Sequence, residues 1–267
     1  MTELERRELW SSLALRHTPG IGPRTWKRLL TAFGGAWPAV EHAASWLGRG
    51  LVGERQAQAF KSEAWREQAR VEWDEVARHG TKVLLWTDPR YPTRLKEIAG
   101  PPLFLYYAGD LALLRTPGVA VVGTRQCTPY GMEAARSLSQ GLSRAGITVI
   151  SGLAYGIDRE AHLGGLDGHG SSIAVLGAGL RHGYPTRNQD LRRALEEKGL
   201  VLSEFSPDTP PEARHFPERN RIISGLSLGV VVVEAGLPSG SIITANAALE
   251  QGREVFAVPG PINSPRH

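Results

Sequence analysis

From Lys82 onward, short apolar runs rich in β-branched residues alternate with longer stretches that suit helices. Each run has three to five residues and is apolar at successive positions, as strands buried on both faces are. The predicted strands are 82–86, 103–107, 119–122, 148–150, 173–176, 200–203, 230–233 and 255–258. The predicted crossover helices are 129–145, 158–167, 187–198, 216–226 and 240–251. This order predicts an α/β fold with a doubly wound, mostly parallel sheet.

Residues 1–75 differ, because their apolar positions recur at near-helical spacing and never alternate like a strand. We therefore predict a small all-helical N-terminal domain over 1–75 and a Rossmann-like domain over 76–267. The segment Thr18-Pro19-Gly20-Ile21-Gly22-Pro23 looks like a helix-hairpin-helix element, whose glycines would let backbone amides face a phosphate. It also suits an ordinary interhelical turn with Ile21 in the core, and the sequence does not separate the two.

Charge and cysteine content narrow the class of protein. The 267 residues include 31 Lys plus Arg and 27 Asp plus Glu, and the resulting net charge of +4 favours anionic partners without requiring them. Cys127 is the one cysteine, and no charged-then-apolar leader opens the chain. No apolar run approaches the roughly 20 residues that a membrane-spanning helix needs. We therefore expect a cytoplasmic protein with no disulfide and no membrane contact.

Ligands of open parallel sheets bind beyond the carboxyl ends of the strands, so the segments after the predicted strands are the candidates for a site. Gly123, Thr124 and Arg125 follow the strand 119–122. The glycine lets a ligand approach the backbone, and Arg125 can give a phosphate two hydrogen bonds or instead form a surface ion pair. The Gly-x-Gly-x-x-Gly spacing and the ribose-binding acid of NAD sites are missing, so we predict no cofactor.

Similar loops and basic runs follow the other strands. Two more loops combine glycines with hydroxyls ahead of a helix, and two segments mix arginine with aromatic residues, which suits backbone neutralisation with base stacking. The candidate DNA-binding residues are Gly123, Thr124, Arg125, Ser151, Gly152, Tyr155, Thr186, Arg187, Asn188, Arg214, Phe216, Arg219, Asn220, Arg221, Ser239, Gly240 and Ser241. We expect His162 to be a packed or capping residue, since no other metal-type residue lies at ligand spacing, and we predict no metal site.

Residues 103–261 resemble the DprA/Smf family of DNA-processing proteins. The motifs that carry the resemblance include Val122-Gly123-Thr124-Arg125, Ser151-Gly152, Tyr184-Pro185 with Asn188, Phe216-Pro217 with Arg219-Asn220-Arg221, Ser239-Gly240-Ser241, and the run from Gly252 to Gly260. The resemblance implies a homodimeric single-stranded-DNA-binding protein of natural transformation and recombination that protects incoming DNA and loads RecA. It implies no catalytic residues. It also makes Arg125 the phosphate-binding arginine and places Asn220 with its flanking arginines in the DNA pocket.

The chain departs from the family pattern in three places. Tyr155 and Thr186 stand where many members carry Lys, and Thr124 stands where Ser is usual. The positive charge of the pocket is therefore distributed differently. Members usually continue past the residues that correspond to 259–267, so we expect a truncated or naturally short form of the family.

Two other functions remain open at this stage. A nucleotide phosphoribohydrolase, similar to lysine-decarboxylase-like proteins, would use Arg125 and Glu234 as its catalytic pair. Such enzymes carry a Pro-Gly-Gly-x-Gly-Thr loop, where this chain has Leu237-Pro238-Ser239-Gly240-Ser241-Ile242. A purely structural or partner-binding module would leave the glycines beside arginines without a use. The sequence therefore favours a non-enzymatic DNA-binding protein.

Overall fold

The computed structural model describes residues 1–236 and 239–260, and the chain divides into two compact units. Unit 1 is Met1–Tyr106 and unit 2 is Tyr107–His267. Leu237, Pro238 and the tail 261–267, which entered the sequence argument above, lie outside the described residues. The separate helical domain predicted over 1–75 stays a prediction.

Unit 1 is mainly helical, as predicted for the N-terminal region. Its helices are α1 (Glu3–His17), α2 (Pro23–Phe33), α3 (Ala36–Glu41), α4 (Glu54–Lys61), α5 (Arg66–His79) and α6 (Thr93–Glu97). The strand β1 (Lys82–Leu85) follows α5, and β2 (Phe104–Gly109) leads into unit 2. Local sequence fixes the helix ends, since Thr2 and Glu5 form a reciprocal capping box at α1. The carboxylate of Glu8 accepts the N–H groups of Ala36 and Trp37 at the start of α3, at 2.7 and 2.8 Å.

The turn between α1 and α2 is tight. Gly20 has φ of +78°, a conformation that favours glycine, and Ile21 is only 4% exposed. The N–H of Ile21 donates to the carbonyl of Thr18 at 3.1 Å. Ile21 thus has the core position that an ordinary interhelical turn requires, and phosphate binding by this turn stays a prediction.

Unit 2 is built on a parallel sheet. Its strands are β3 (Gly118–Val122), β4 (Thr148–Ser151), β5 (Ser172–Leu176), β6 (Leu200–Ser203), β7 (Gly229–Val232) and β8 (Glu254–Ala257). They are arranged in the order β6-β5-β4-β3-β7-β8, and every neighbouring pair is parallel. The register places Val119 beside Val149 of β4 and Gly229 of β7. The predicted mostly parallel, doubly wound sheet is confirmed.

The helices of unit 2 match the predicted crossover segments to within one or two residues. They are α7 (Pro129–Arg144), α8 (Ile157–Leu166), α9 (Gln189–Lys198), α10 (His215–Leu226) and α11 (Gly240–Glu250). One core cluster joins Val121 and Val149 of the sheet to Ala135 of α7 and Ala161 of α8. A second packs α9 against β5 and β6. None of the helices described in either unit is long and apolar enough to cross a membrane.

The last strand differs from its prediction. The segment 255–258 was expected to be buried on both faces, but β8 is mostly exposed and Phe256 retains 54% of its accessible surface. The reason is position, because β8 is outermost in the strand order and pairs only with β7 among the described strands. An apolar run predicts a strand but does not reveal whether neighbours cover it.

Candidate functional site

The strand order reverses beside β3. From β3 the chain continues through β4, β5 and β6 on one side, while β7 and β8 lie on the other. Loops that leave β3 and β7 therefore diverge at the carboxyl edge, and a crevice forms where they part. A cavity of about 350 Å³ lies at this point in unit 2. The predicted residues that line it are Gly123, Thr124, Arg125, Phe216, Arg219, Asn220, Ser239, Gly240 and Ser241.

Arg125 supplies an exposed positive charge at the cavity. Its guanidinium carbon lies 5.5 Å from the centroid of the Phe216 ring, within the range of a cation–π contact. Within the described part of the chain it forms no ion pair, so the surface ion pair considered above is not its arrangement there. The charge of Arg125 is thus held beside an aromatic ring and available to an anion.

A second arginine, Arg219, is buried beneath the site and only 4% exposed. Its Nη1 donates to the carbonyl oxygens of Gly152, at 2.7 Å, and Val175. Its Nε donates to Oδ1 of Asn220 at 3.1 Å. The guanidinium therefore ties α10 to the end of β4 and to β5. Glycine at 152 leaves room for this guanidinium, since an added Cβ would lie 2.6 Å from Nη2 of Arg219.

Burial and two neighbouring charges of opposite sign together determine the pKa of Arg219. Burial lowers the pKa of Arg219 to about 10, the carboxylate of Asp158 opposes this shift, and the like charge of Arg125 adds to it. Arg219 therefore remains cationic at neutral pH. Burial raises the pKa of Asp158, which Arg219 counteracts. Asp158 also lines the cavity.

The start of α11 forms another wall of the cavity. Ser239 is the N-cap, and its Oγ accepts the N–H of Ile242 at 3.4 Å and lies 2.8 Å from Oγ of Ser241. The side-chain amide of Asn220 donates to the carbonyl of Gly240 at 3.1 Å, which joins α10 to α11. A helix N-terminus favours negative charge because its backbone dipoles point their positive ends there.

Two predicted contact residues are buried and already hydrogen-bonded. Ser151 donates its hydroxyl to the carbonyl of Val121 at 2.7 Å. The amide of Asn188 donates to the carbonyls of Leu153 and Ala154 at 3.0 and 3.1 Å, and its Oδ1 accepts from Arg159. These bonds hold the loop after β4, in which Leu153 has the strained φ of +57°. Contact of Ser151 and Asn188 with DNA stays a prediction.

Gly152, described above, and five other predicted residues also lie outside the cavity lining. Arg221 forms an ion pair with Glu204. The Arg214 side chain is 73% exposed and pairs with Glu212 at 2.9 Å. Tyr155 is half-buried, whereas Thr186 and Arg187 are exposed. Contact of these residues with DNA stays a prediction.

Two residues of α8 form hydrogen bonds to the loop after β4. Asp158 accepts the N–H groups of Gly152 and Ala154 at 3.1 and 3.2 Å. His162 accepts the N–H of Leu153 through Nε2 at 3.2 Å, so its proton is on Nδ1, which contacts Oγ of Ser172 at 2.7 Å. Burial lowers the pKa of His162 to about 3. His162 is therefore a packed residue, as predicted. The place of Asp158 beside the cavity could have been inferred from the sequence, because an acidic residue stands there just after a glycine turn.

Glu234 has no place in the cavity lining and is only 1% exposed. Its carboxylate accepts the N–H of Thr128 at 2.9 Å and the hydroxyl of the same residue. The carboxylate of Glu234 is therefore bonded to Thr128 and does not line the cavity with Arg125, and the phosphoribohydrolase alternative is not favoured. No three His, Cys, Asp or Glu side chains in the described ranges are grouped as a metal ion would require.

Sequence comparisons connect this chain with known proteins. The family model described as DNA recombination-mediator protein A matches residues 82–267. The chain is 47% identical over 175 residues to DNA processing protein DprA of Streptococcus pneumoniae, covering 66% of this chain and 62% of that protein. It is 47% identical over 214 residues to Protein Smf of Escherichia coli, covering 79% of this chain and 56% of that protein. The chain thus spans less than two thirds of the length of either relative.

Solved structures agree with these matches. The crystal structure of DNA processing protein A from Streptococcus pneumoniae superposes with a TM-score of 0.81 at 35% identity, covering 99% of this chain and 89% of that one. A structure of DNA processing protein A from Helicobacter pylori, described for its single-stranded DNA binding mode, gives a TM-score of 0.64 at 33% identity. That match covers 68% of this chain and 82% of the other. By its sequence motifs, its sheet and these relatives, the chain belongs to the DNA recombination-mediator protein A family.

Proposed function

We propose that this chain binds single-stranded DNA at the cavity between the ends of β3 and β7, with Arg125 contacting a backbone phosphate. One observation carries the proposal: Arg125 is exposed at the cavity, lacks an ion-pair partner among the described residues, and lies close enough to Arg219 to lower the pKa of that residue. The carboxylate of Asp158 offsets the charge of Arg219, and an anion is needed to neutralise the charge of Arg125. A phosphate at the start of α11 would do so.

Phosphate contacts position a strand without reading its sequence, so this site suits DNA of any sequence. Phe216 adds an aromatic face beside the arginines, a combination found where proteins bind single strands. The description of the Helicobacter pylori relative as a single-stranded DNA binder supports the same choice. Arg125, Phe216, Asn220 and Ser239–Ser241 are the proposed direct contacts.

The wider role that we propose follows the family. The chain acts in natural transformation and recombination, protects incoming single strands and loads RecA, as a homodimer in the cytoplasm and without catalysis. Relatives named for DNA processing and the family description support this role. We retain residues 1–75 as a proposed separate domain. Limited proteolysis that leaves a stable fragment beginning near residue 76 would support that boundary.

The test is fluorescence anisotropy with labelled oligo(dT) and with duplex DNA of the same length, at several salt concentrations. We expect tighter binding of the single strand and a linear fall of log affinity with log salt. Arg125→Ala should weaken oligo(dT) binding about tenfold or more, the scale of a lost charge-assisted hydrogen bond, at an unchanged melting temperature.

Arg144→Ala is the matched control. It removes an equal charge from the exposed C-terminal end of α7, at the opposite edge of the sheet. Equal affinity for duplex and single strand, or the same binding curve for the Arg125 and Arg144 variants, would contradict the proposal. Release of free base from nucleoside monophosphates would contradict its non-catalytic part.

A further inference from the structure

One residue closes both ends of the loop that carries Arg125. The N–H of Thr124 donates to the backbone carbonyl of Glu234 at 2.7 Å. At the other end, the N–H of Thr128 donates to Oε2 of Glu234 at 2.9 Å, and the Thr128 hydroxyl donates to Oε1. The loop from Thr124 to Thr128 is therefore fastened to the end of β7 at two points.

The carboxylate of Glu234 has a site shaped for it. It is buried next to the first turn of α7, where the helix dipole and charge-assisted hydrogen bonds stabilise a negative group. Thr128 is also the N-cap of α7 and accepts the N–H of Gly131 at 3.1 Å. An added Cβ at Gly131 would lie 2.5 Å from the carboxylate carbon of Glu234, so glycine leaves the room that the carboxylate occupies.

We propose that Glu234 is a positioning residue for DNA binding, which holds the loop from Thr124 to Thr128 so that Arg125 is presented beside Phe216 at the cavity. This inference rests on the proposed function. Glu234 lies outside the cavity lining, so it acts through Arg125 and does not touch the ligand. Without this fastening the loop has to be ordered when DNA binds, which lowers affinity.

A purely stabilising role for Glu234 predicts a different result. It would lower the melting temperature, and any loss of DNA affinity would be the same whether or not residue 125 is arginine. A positioning role predicts that the loss depends on Arg125. A double-mutant cycle separates the two cases, because residues that act as a unit give non-additive effects.

The experiment measures oligo(dT) anisotropy with the full chain at low salt, so that weak binding remains measurable. Glu234→Gln and Thr128→Val each remove part of the fastening, and Thr128→Ser restores the hydroxyl. We expect Glu234→Gln and Thr128→Val to weaken binding about three- to tenfold when Arg125 is present and less than about twofold in the Arg125→Ala background. Thr128→Ser should bind within about twofold of the original chain, as the hydroxyl is kept.

Thr128→Val decides the matter if Glu234→Gln does not fold. An equal loss in both backgrounds, or no loss with Arg125 present, overturns the positioning role while the proposed function stands. If the original chain does not bind oligo(dT), or Arg125→Ala binds as it does, the proposed function fails and the positioning role with it. These two failures are distinct, because the second appears without any change at Glu234 or Thr128.

Discussion

Replacing Arg219 by Lys should destabilise unit 2 even though the positive charge is kept. The planar guanidinium donates to Gly152 and Val175 and to the side chain of Asn220. A single Nζ cannot take all three places, although it can still face Asp158. The charge balance is therefore preserved while the connections between α10, β4 and β5 are lost, so the substitution isolates the bracing role of the fork.

The magnitude follows from the groups left without partners. At least one of the two carbonyls loses its donor, and a buried unpaired acceptor costs about 1–3 kcal/mol. Loss of the bond to Asn220 adds about 0.5–1.5 kcal/mol. We therefore expect Arg219→Lys to lower the free energy of unfolding by about 2–4 kcal/mol. Arg221→Lys is the control, because Lys keeps the charge that pairs with Glu204, and Nη1 of Arg221 has no hydrogen-bond partner to lose among the described residues.

The assay has to report on unit 2. All 7 tryptophans precede residue 107, so tryptophan fluorescence follows unit 1 only. Urea unfolding followed by far-ultraviolet circular dichroism, together with hydrogen exchange of peptides from β4, β5 and α10, gives the required signal. If these peptides are protected from hydrogen exchange as strongly in Arg219→Lys as in the original chain, the bracing role is refuted. Phosphate contact would then be the remaining function of Arg219.

Two further predictions concern how stability depends on pH and have opposite signs, and a third concerns the room for a side chain at two glycines. The pKa of His162, about 3, lies below the ordinary value of 6.5. The stabilisation from neutral His162 is therefore present above pH 6.5, and it declines by up to about 1.4 kcal/mol per pH unit as the pH falls toward 3. In His162→Gln the free energy of unfolding, measured with urea, should depend less on pH over that range. Burial raises the pKa of Glu8, so its stabilisation relative to Glu8→Gln should grow as pH falls through that raised value toward 4.5, by the same measurement. Gly152→Ala should lower the melting temperature because its Cβ meets Arg219, whereas Gly141→Ala, with open space inside α7, should raise it.

The strands and helices of unit 2 were predictable because buried parallel strands are apolar at every position. Few other segments of a chain have such continuous apolar runs. The carboxyl edge was predictable too, since the chain direction fixes which loops gather there. Gly123, Arg125 and Ser239 could therefore be placed at the site from the sequence.

The partners of polar side chains could not be predicted in the same way. Arg219 bonds to Gly152 and Val175, which are 67 and 44 positions away in the chain. Asn188 bonds to Leu153 and Ala154 from a similar separation. A polar residue near a glycine loop looks the same in sequence whether it faces a ligand or a buried carbonyl, and tertiary packing decides between them.

The pairing of β3 with β7 also sets when the site is completed during synthesis. Val122 lies beside Val232, which follows it by 110 positions. Ribosomes add about 5–20 residues per second, so β7 emerges about 5–20 s after β3. Until then the Arg125 loop has neither Glu234 nor the start of α11. A growing chain therefore exposes the loop of Arg125 before Glu234 and α11 have been made, and the proposed phosphate site is complete only once β7 and α11 have emerged.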